Sequence, residues 1–272
     1  MSQTKGFIVV DTAGPVADWM VLVHGISQDH RLFDAQVRSF QTSYRLLLID
    51  LPGHGVSSDI PAPYGLRKFA VHIRDCMVST GANNATFWGT HLGASAGLLA
   101  ACDEPDLFFA LVLESPVFPG RGLPSVSNLL SDVAATAKEQ GMMEARDLWW
   151  EKGPWFDLMR SDPERFRAAE QRRIIEDFKG GPWLEKDLAS KPLDSVEDKL
   201  RQLQVPTILI NGEHDVKDFV LAADAMEELI PNSKRIAIPG GGGFPLWELP
   251  DLVNELVSDA LADATSIHRS KN

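Results

Sequence analysis

The chemistry-bearing residues of this chain concentrate in one short stretch, 85–97. It runs from an apolar segment through Gly89-Thr90-His91-Leu92-Gly93 into Ala94-Ser95-Ala96-Gly97. The pattern predicts a strand entering a tight, glycine-flanked turn that opens a helix, and such turns commonly carry a nucleophilic serine at the tip. Here the tip is His91, with Ser95 four residues later. An imidazole in that position can accept a proton, attack directly, or do neither.

A turn of this kind works only if a sheet holds it. Apolar runs at 7–10, 19–23, 45–49, 85–88, 109–113, 207–210 and 235–238 are read as strands, several nearly continuous in Val, Ile and Leu. Continuity of that kind belongs to strands covered on both faces. Helical patterns at 65–80, 93–103, 216–229 and 251–261 lie between them. The alternation predicts an α/β fold with a mostly parallel sheet and helices on both sides. Between 119 and 204 it breaks. That stretch shows helical patterns at 129–140, 144–150 and 163–177 and contains Trp149, Trp150, Trp155 and Trp183 of the seven tryptophans. It is read as a helical cap over the strand ends, where ligands of open α/β sheets bind; alternatively the aromatics only hold the cap together. The expected division is a core of 1–118 and 205–266, a cap of 119–204, and a flexible tail of 267–272, with fraying already expected from 262.

Composition narrows the partners. The chain has 272 residues, 44% hydrophobic and 24% charged, with a formal net charge of −12. This suits a soluble globular domain and argues against nucleic acid or an anionic membrane as partner. No apolar h-region follows the first residues and no run could span a bilayer, so a cytoplasmic location is expected. Cys76 and Cys102 have neither metal nor redox spacing and are read as buried free thiols. No cofactor and no metal are expected: no histidine cluster has ligand spacing, and Gly240–Gly243 lacks the lysine and Ser/Thr of a phosphate loop.

Four motifs line up along the chain: Leu22-Val23-His24-Gly25, Asp50-Leu51-Pro52-Gly53-His54-Gly55, Trp88-Gly89-Thr90-His91-Leu92-Gly93, and Ile210-Asn211-Gly212-Glu213-His214-Asp215. In this order and spacing the chain resembles the α/β-hydrolase superfamily, in its capped, esterase- and epoxide-hydrolase-like branch. The resemblance implies an α/β-hydrolase fold with a nucleophile elbow at Gly89–Gly93. A competing G-x-S-x-G register at Gly93–Gly97 is disfavoured, because the apolar strand ends at Trp88 and Pro105 fits the family's spacing only with His91 at the tip. Ser95 is then a small helix residue packed against the sheet.

The resemblance also implies a C-terminal catalytic histidine in a pattern similar to P-G-x-G-H-F-P. This chain reads Pro239-Gly240-Gly241-Gly242-Gly243-Phe244-Pro245, with Gly243 at that place. Asp215 stands at the family's acid position, and Glu114 at an alternative acid position used by dehalogenase-like members. With the nucleophile and base changed together, acyl-serine chemistry is not expected; losing either costs roughly 10⁶ in turnover in a serine hydrolase. The expectation is that the His91 ring fills space left at Gly243 and pairs with Asp215 as a general-base dyad. Backbone N–H groups of Ile26 and Leu92 would form the oxyanion hole. Gly25, His30, Gly243, Phe244 and Trp155 would line the pocket. His24 and His54 are read as structural. The expected substrate is a small, largely apolar molecule, transformed by activated-water hydrolysis or by proton transfer (elimination, cyclisation, epimerisation or decarboxylation). The alternative is a catalytically silent protein that binds a small molecule.

Overall fold

The computed structural model describes residues 6–14, 17–185, 193 and 196–271. The described elements are β1 (Phe7–Val10), β2 (Trp19–Val23), α1 (Asp34–Phe40), β3 (Arg45–Ile49), α2 (Leu66–Thr80), β4 (Ala85–Thr90), α3 (Leu92–Asp103) and β5 (Phe108–Glu114). A helical excursion follows: α4 (Ser127–Glu139), α5 (Met142–Lys152), α6 (Asp157–Ser161), α7 (Ala168–Asp177) and α8 (Val196–Gln202). The chain then returns through β6 (Thr207–Gly212), α9 (Lys217–Leu229), β7 (Ser233–Ile238), α10 (Pro245–Glu248) and α11 (Pro250–Lys271).

The strands form one sheet in the order β1-β3-β2-β4-β5-β6-β7. Only β1 runs antiparallel, pairing Phe7 with Ile49; the other pairings are parallel. Every residue of β2, β4 and β6 is buried, which explains why their sequences lack a polar alternation. Successive side chains serve opposite faces. Met20, Leu22 and Trp88 join the cluster under the helical excursion, whereas Val21, Val23 and Phe87 pack on the face of α2 and α3.

The excursion is tied to the core by specific contacts. The indole N–H of Trp247 donates to the Phe166 carbonyl at 2.8 Å. Phe178 stacks on His54 with ring centroids 4.6 Å apart, and Arg167 lies 3.9 Å over the Trp247 ring. The 163–177 helical pattern does not hold over its whole length: Arg167 has φ +51° and α7 begins at Ala168. At the C-terminus, α11 continues to Lys271 through the stretch expected to fray, and Asn272 lies outside the described residues. Among the described residues no helix is long and apolar enough to cross a membrane.

Candidate functional site

The site lies where β2, β4, β5 and β6 end. Between β4 and α3, His91 takes φ +49° and ψ −116°, a conformation costly for a residue bearing a Cβ. The surroundings hold it there. Its N–H donates to the Glu114 carbonyl at 2.9 Å, and its carbonyl accepts from Ser95 N–H at 3.2 Å. The flanking glycines are sterically required. A Cβ on Gly93 would lie 2.3 Å from the His24 carbonyl oxygen, and one on Gly89 would lie 2.8 Å from the backbone of Ala94. The architecture of an elbow is present with an imidazole at its tip.

Ser95 is buried and committed to the backbone. Its hydroxyl donates to the carbonyls of Val117 (2.5 Å) and His91 (3.1 Å) and accepts from Val117 N–H at 3.2 Å. It joins α3 to the segment after β5, consistent with its reading as a packed helix residue.

The imidazole of His91 finds a partner that sequence alone did not suggest. Nε2 lies 2.7 Å from the Gly243 carbonyl oxygen. A carbonyl can only accept, so Nε2 carries the proton and Nδ1 holds the lone pair. Nδ1 has no hydrogen-bond partner among the described residues, and it faces Gly25, where a Cβ would sit 3.2 Å away. The ring stacks on Phe219 (4.7 Å, 20°) and meets Phe244 edge-on (4.4 Å, 69°). Burial in these apolar surroundings lowers its pKa to about 4, opposed by the hydrogen bond to Gly243; the ring is neutral at pH 7.

The expected His91–Asp215 dyad is not formed. Asp215 accepts from the Ser115 hydroxyl at 2.7 Å, the Asn211 amide at 2.6 Å and the Val216 N–H at 2.7 Å. These bonds fasten it between the ends of β5 and β6, while the Nε2 proton of His91 is committed to Gly243. Burial raises Asp215 to about 6 in spite of its partners. The expectation about volume needs correction as well. The imidazole does reach toward position 243, but Trp155 of the helical excursion takes the side-chain space there. A Cβ on Gly243 would lie 2.7 Å from both the Cα and Cβ of Trp155.

Glu114 ends β5 fully buried. One oxygen accepts from Leu246 N–H at 3.3 Å and the other has no partner. Burial pushes its pKa well up, which favours the neutral acid. No contact joins it to His91's ring.

Ile26 and Leu92 line the cavity beside His91. Leu92 opens α3, so its N–H has no intrahelical acceptor, and neither it nor Ile26 N–H meets an acceptor among the described residues. The loop carrying Ile26 is braced from below. His24 donates through Nδ1 to the Gly25 carbonyl (2.6 Å), and its Nε2 accepts from Leu51 N–H (3.0 Å). Asp50 accepts from the backbone and Nδ1 of His30 at 2.7 and 2.9 Å, and from Val56 N–H at 2.8 Å. His30 is therefore a brace rather than a pocket residue. Although burial alone would lower its pKa, the bond to Asp50 raises it.

The cavity holds about 700 Å³, ample for a small organic ligand. Its inner end is formed by His91, Phe219 and Phe244, continuing along Trp155, Trp149 and Trp183. Trp155 and Trp149 pack at 4.5 Å, and Trp149 and Trp183 at 5.3 Å. Across from this aromatic wall, α4 presents Ser127, Leu130, Ser131 and Ala134, with Lys138 toward the outer end of the helix. Trp155 and Phe244 line the cavity; Gly25 and Gly243 are not among its lining residues, and both lie against the His91 ring.

Sequence reasoning passed over Phe219 and Glu248. Phe219 had no local signal. Glu248 had one: a single acid within Phe244-Pro245-Leu246-Trp247-Glu248-Leu249. It is buried, and its carboxylate accepts from Gly242 N–H at 2.6 Å and Phe244 N–H at 3.3 Å. Burial raises it to about 7. Among the described residues no group of three or more His, Cys, Asp and Glu is arranged to hold a metal ion.

Comparison with known proteins gives a consistent family. The model of the alpha/beta hydrolase fold matches residues 18–250. A pimeloyl-[acyl-carrier protein] methyl ester esterase of Nitrosomonas europaea is 27% identical over 250 residues, covering 90% of this chain and 95% of that protein. A 2-succinyl-6-hydroxy-2,4-cyclohexadiene-1-carboxylate synthase of Enterobacter sp. is 28% identical over 227 residues, covering 80% and 85%. Among solved structures, MenH from S. aureus superposes with a TM-score of 0.82 at 22% identity, covering 96% of this chain and 99% of that one. The enol-lactonase from Burkholderia xenovorans LB400 gives 0.79 at 19% identity, covering 94% and 95%.

Proposed function

We propose a function from the premise that this chain belongs to the α/β-hydrolase fold family, whose relatives in the comparison include an esterase and a synthase. The protein is a cofactor-independent enzyme of a small, largely apolar substrate, and His91 is its general base. One observation carries this reading. A neutral imidazole, its Nε2–H taken by the Gly243 carbonyl, lines a cavity together with Ile26 and Leu92, and its Nδ1 and the N–H groups of those two residues have no hydrogen-bond partner among the described residues.

Such a site supports two related reactions. In hydrolysis, Nδ1 takes a proton from water as its oxygen adds to a substrate carbonyl; the oxyanion is held by Ile26 and Leu92 N–H, and the proton passes to the leaving group. In proton transfer, Nδ1 removes a proton next to a carbonyl, and the same two N–H groups hold the enolate before elimination, cyclisation, epimerisation or decarboxylation. The positively charged ring then faces an oxyanion, which offsets the burial that lowers its basicity in the empty site. Asp215 has no direct part, since its oxygens are bonded elsewhere. The helices of 119–204 act as a cap that keeps water from the site.

Turnover should be screened on ester, lactone and epoxide panels with the wild type and His91→Ala. An activity lost on substitution supports the base. Activity that survives it, or fluorophosphonate labelling at Ser95, overturns it. A second reading, a silent binding protein, draws on one specific observation: a pKa of about 4 makes His91 a weak base before ligand arrives. Ligand binding with no turnover on any panel would favour it.

A further inference from the structure

The tautomer of His91 depends on a carbonyl within a run of four glycines, and glycine peptides have little preference for one orientation. Something must hold that carbonyl toward the ring. The Gly243 carbonyl and the Phe244 N–H belong to one peptide unit, and in a planar trans peptide they point in opposite directions. Glu248 accepts the Phe244 N–H at 3.3 Å on one side, and the Gly243 carbonyl accepts the His91 Nε2–H at 2.7 Å on the other. The second oxygen of Glu248 accepts Gly242 N–H at 2.6 Å. The carboxylate thus grips the N–H groups of the residues before and after Gly243.

Burial makes this grip notable. Glutamate is rarely buried unless paired, and Glu248 has no cation within ion-pair distance among the described residues; backbone amides are its hydrogen-bond partners. Its fit is close: a Cβ on Gly242 would lie 2.9 Å from one carboxylate oxygen. The other end of the glycine run is held separately, by exposed Glu213 accepting Gly240 N–H at 2.9 Å.

We propose that Glu248 is a positioning residue for His91: through the 243–244 peptide it fixes the carbonyl that binds Nε2–H, and so keeps the lone pair on Nδ1. Aligned bonds through one peptide also polarise one another, reinforcing the choice. The catalytic consequence rests on the general-base reading above; the tautomer does not, because it can be read without substrate.

The test is ¹⁵N NMR of histidine-labelled full-length protein near pH 8, with the His91 signals assigned by their loss in His91→Ala. Wild type should show Nε2 protonated and Nδ1 bare. Glu248→Gln offers one acceptor oxygen where two amides need one each, so the tautomer preference should fall by up to about tenfold, the worth of one hydrogen bond. Glu213→Ala, which releases only Gly240, should leave it unchanged. An Nδ1–H tautomer in wild type, an unaltered ring in a folded Glu248→Gln, or an equal shift in Glu213→Ala would each overturn the proposal. Should the glutamine variant not fold, Glu248→Asp is read in the same way; failure of both to fold would assign Glu248 to stability instead. If the tautomer depends on Glu248 while His91→Ala keeps its turnover, the general-base reading fails and the positioning stands.

Discussion

Two loops at the carboxyl ends of strands meet the His91 ring, one through Gly25 and one through Gly243, and they are held in opposite ways. The loop after β2, residues 24–27, rests on a dense polar network. His24 bonds the Gly25 carbonyl and Leu51 N–H, Asp50 accepts from the backbone and ring of His30, and Asp50 stays below the usual carboxylate range because the His30 bond and neighbouring His24 overcome its burial. The loop after β7, residues 240–243, is all glycine and has no side chain to anchor it: Glu248 accepts Gly242 and Phe244 N–H, while Gly241 bonds the backbone of Ile238 and His214. The first presents N–H groups that need no adjustment. The second decides which nitrogen of His91 is basic. In the proposed reaction the oxyanion side and the base side can differ independently, because the hydrogen bonds that hold the two loops are separate.

The largest test of that division is His91→Ala. It should lower kcat/KM by about 10²–10⁴, the usual worth of a general base, on any substrate found in the panels, with melting behaviour little changed. A smaller effect would mean that the loop after β2 carries the activity alone.

Next comes an attempt to rebuild a conventional base side. Gly243→His should not restore one even when combined with His91→Ser, because Trp155 occupies the side-chain space. Fluorophosphonate labelling should stay absent. Thermal unfolding of the single Gly243→His variant should show a loss of about 1–3 kcal/mol or more from overpacking. Labelling of the double variant would show that the helical excursion yields more readily than its packing implies.

The carboxylate that holds the glycine loop should also shape stability against pH. Glu248 is raised in the folded state to about 7 from 4.5. The folded protein then binds the proton more tightly than the unfolded chain. This contribution is complete below about 4.5 and is lost as pH rises through about 7. Glu248→Gln has no charge to bury, so its stability relative to wild type should improve from pH 5 to pH 8, on the order of 2–3 kcal/mol. Denaturant melts at the two pH values read this directly; a difference of opposite sign would refute it.

His91 works in the other sense. Its pKa falls from 6.5 to about 4 in the fold, so its contribution is present above 6.5 and lost as pH falls through 4. The Cε1 proton of His91 should titrate near 4 by NMR, and a midpoint near 6.5 would show an open, hydrated ring. The smallest effect is expected from Asp215→Asn. With no bond to His91, it should change kcat/KM by less than about tenfold, below the range of a general base. A loss matching that of His91→Ala would restore the dyad.

Much of this was legible in the primary structure. The strands at 7–10, 19–23 and 45–49 coincide with β1, β2 and β3, because apolar-rich segments stand out against polar turns even where, as in β1 at the sheet edge, they are only partly buried. The run at 85–88 stops short of β4, since Gly89 and Thr90 are buried without being apolar. The elbow was readable from its glycines. His30 and Arg167 were not: one turns toward Asp50, twenty residues on, and the other breaks a helical pattern with a left-handed residue.

The sequence by itself determined the sheet, the helical excursion and the imidazole at the elbow, since apolar periodicity and obligatory glycines are local properties. It also placed Gly243 where a histidine would be expected from the resemblance. Only the tertiary structure decided what His91 bonds. A hydrogen bond requires a partner within about 3 Å, and that partner is a backbone carbonyl 152 residues away, held by a glutamate and backed by a tryptophan from the helical excursion. A backbone oxygen has no letter in a sequence, whereas Asp215 does; only packing could choose between them.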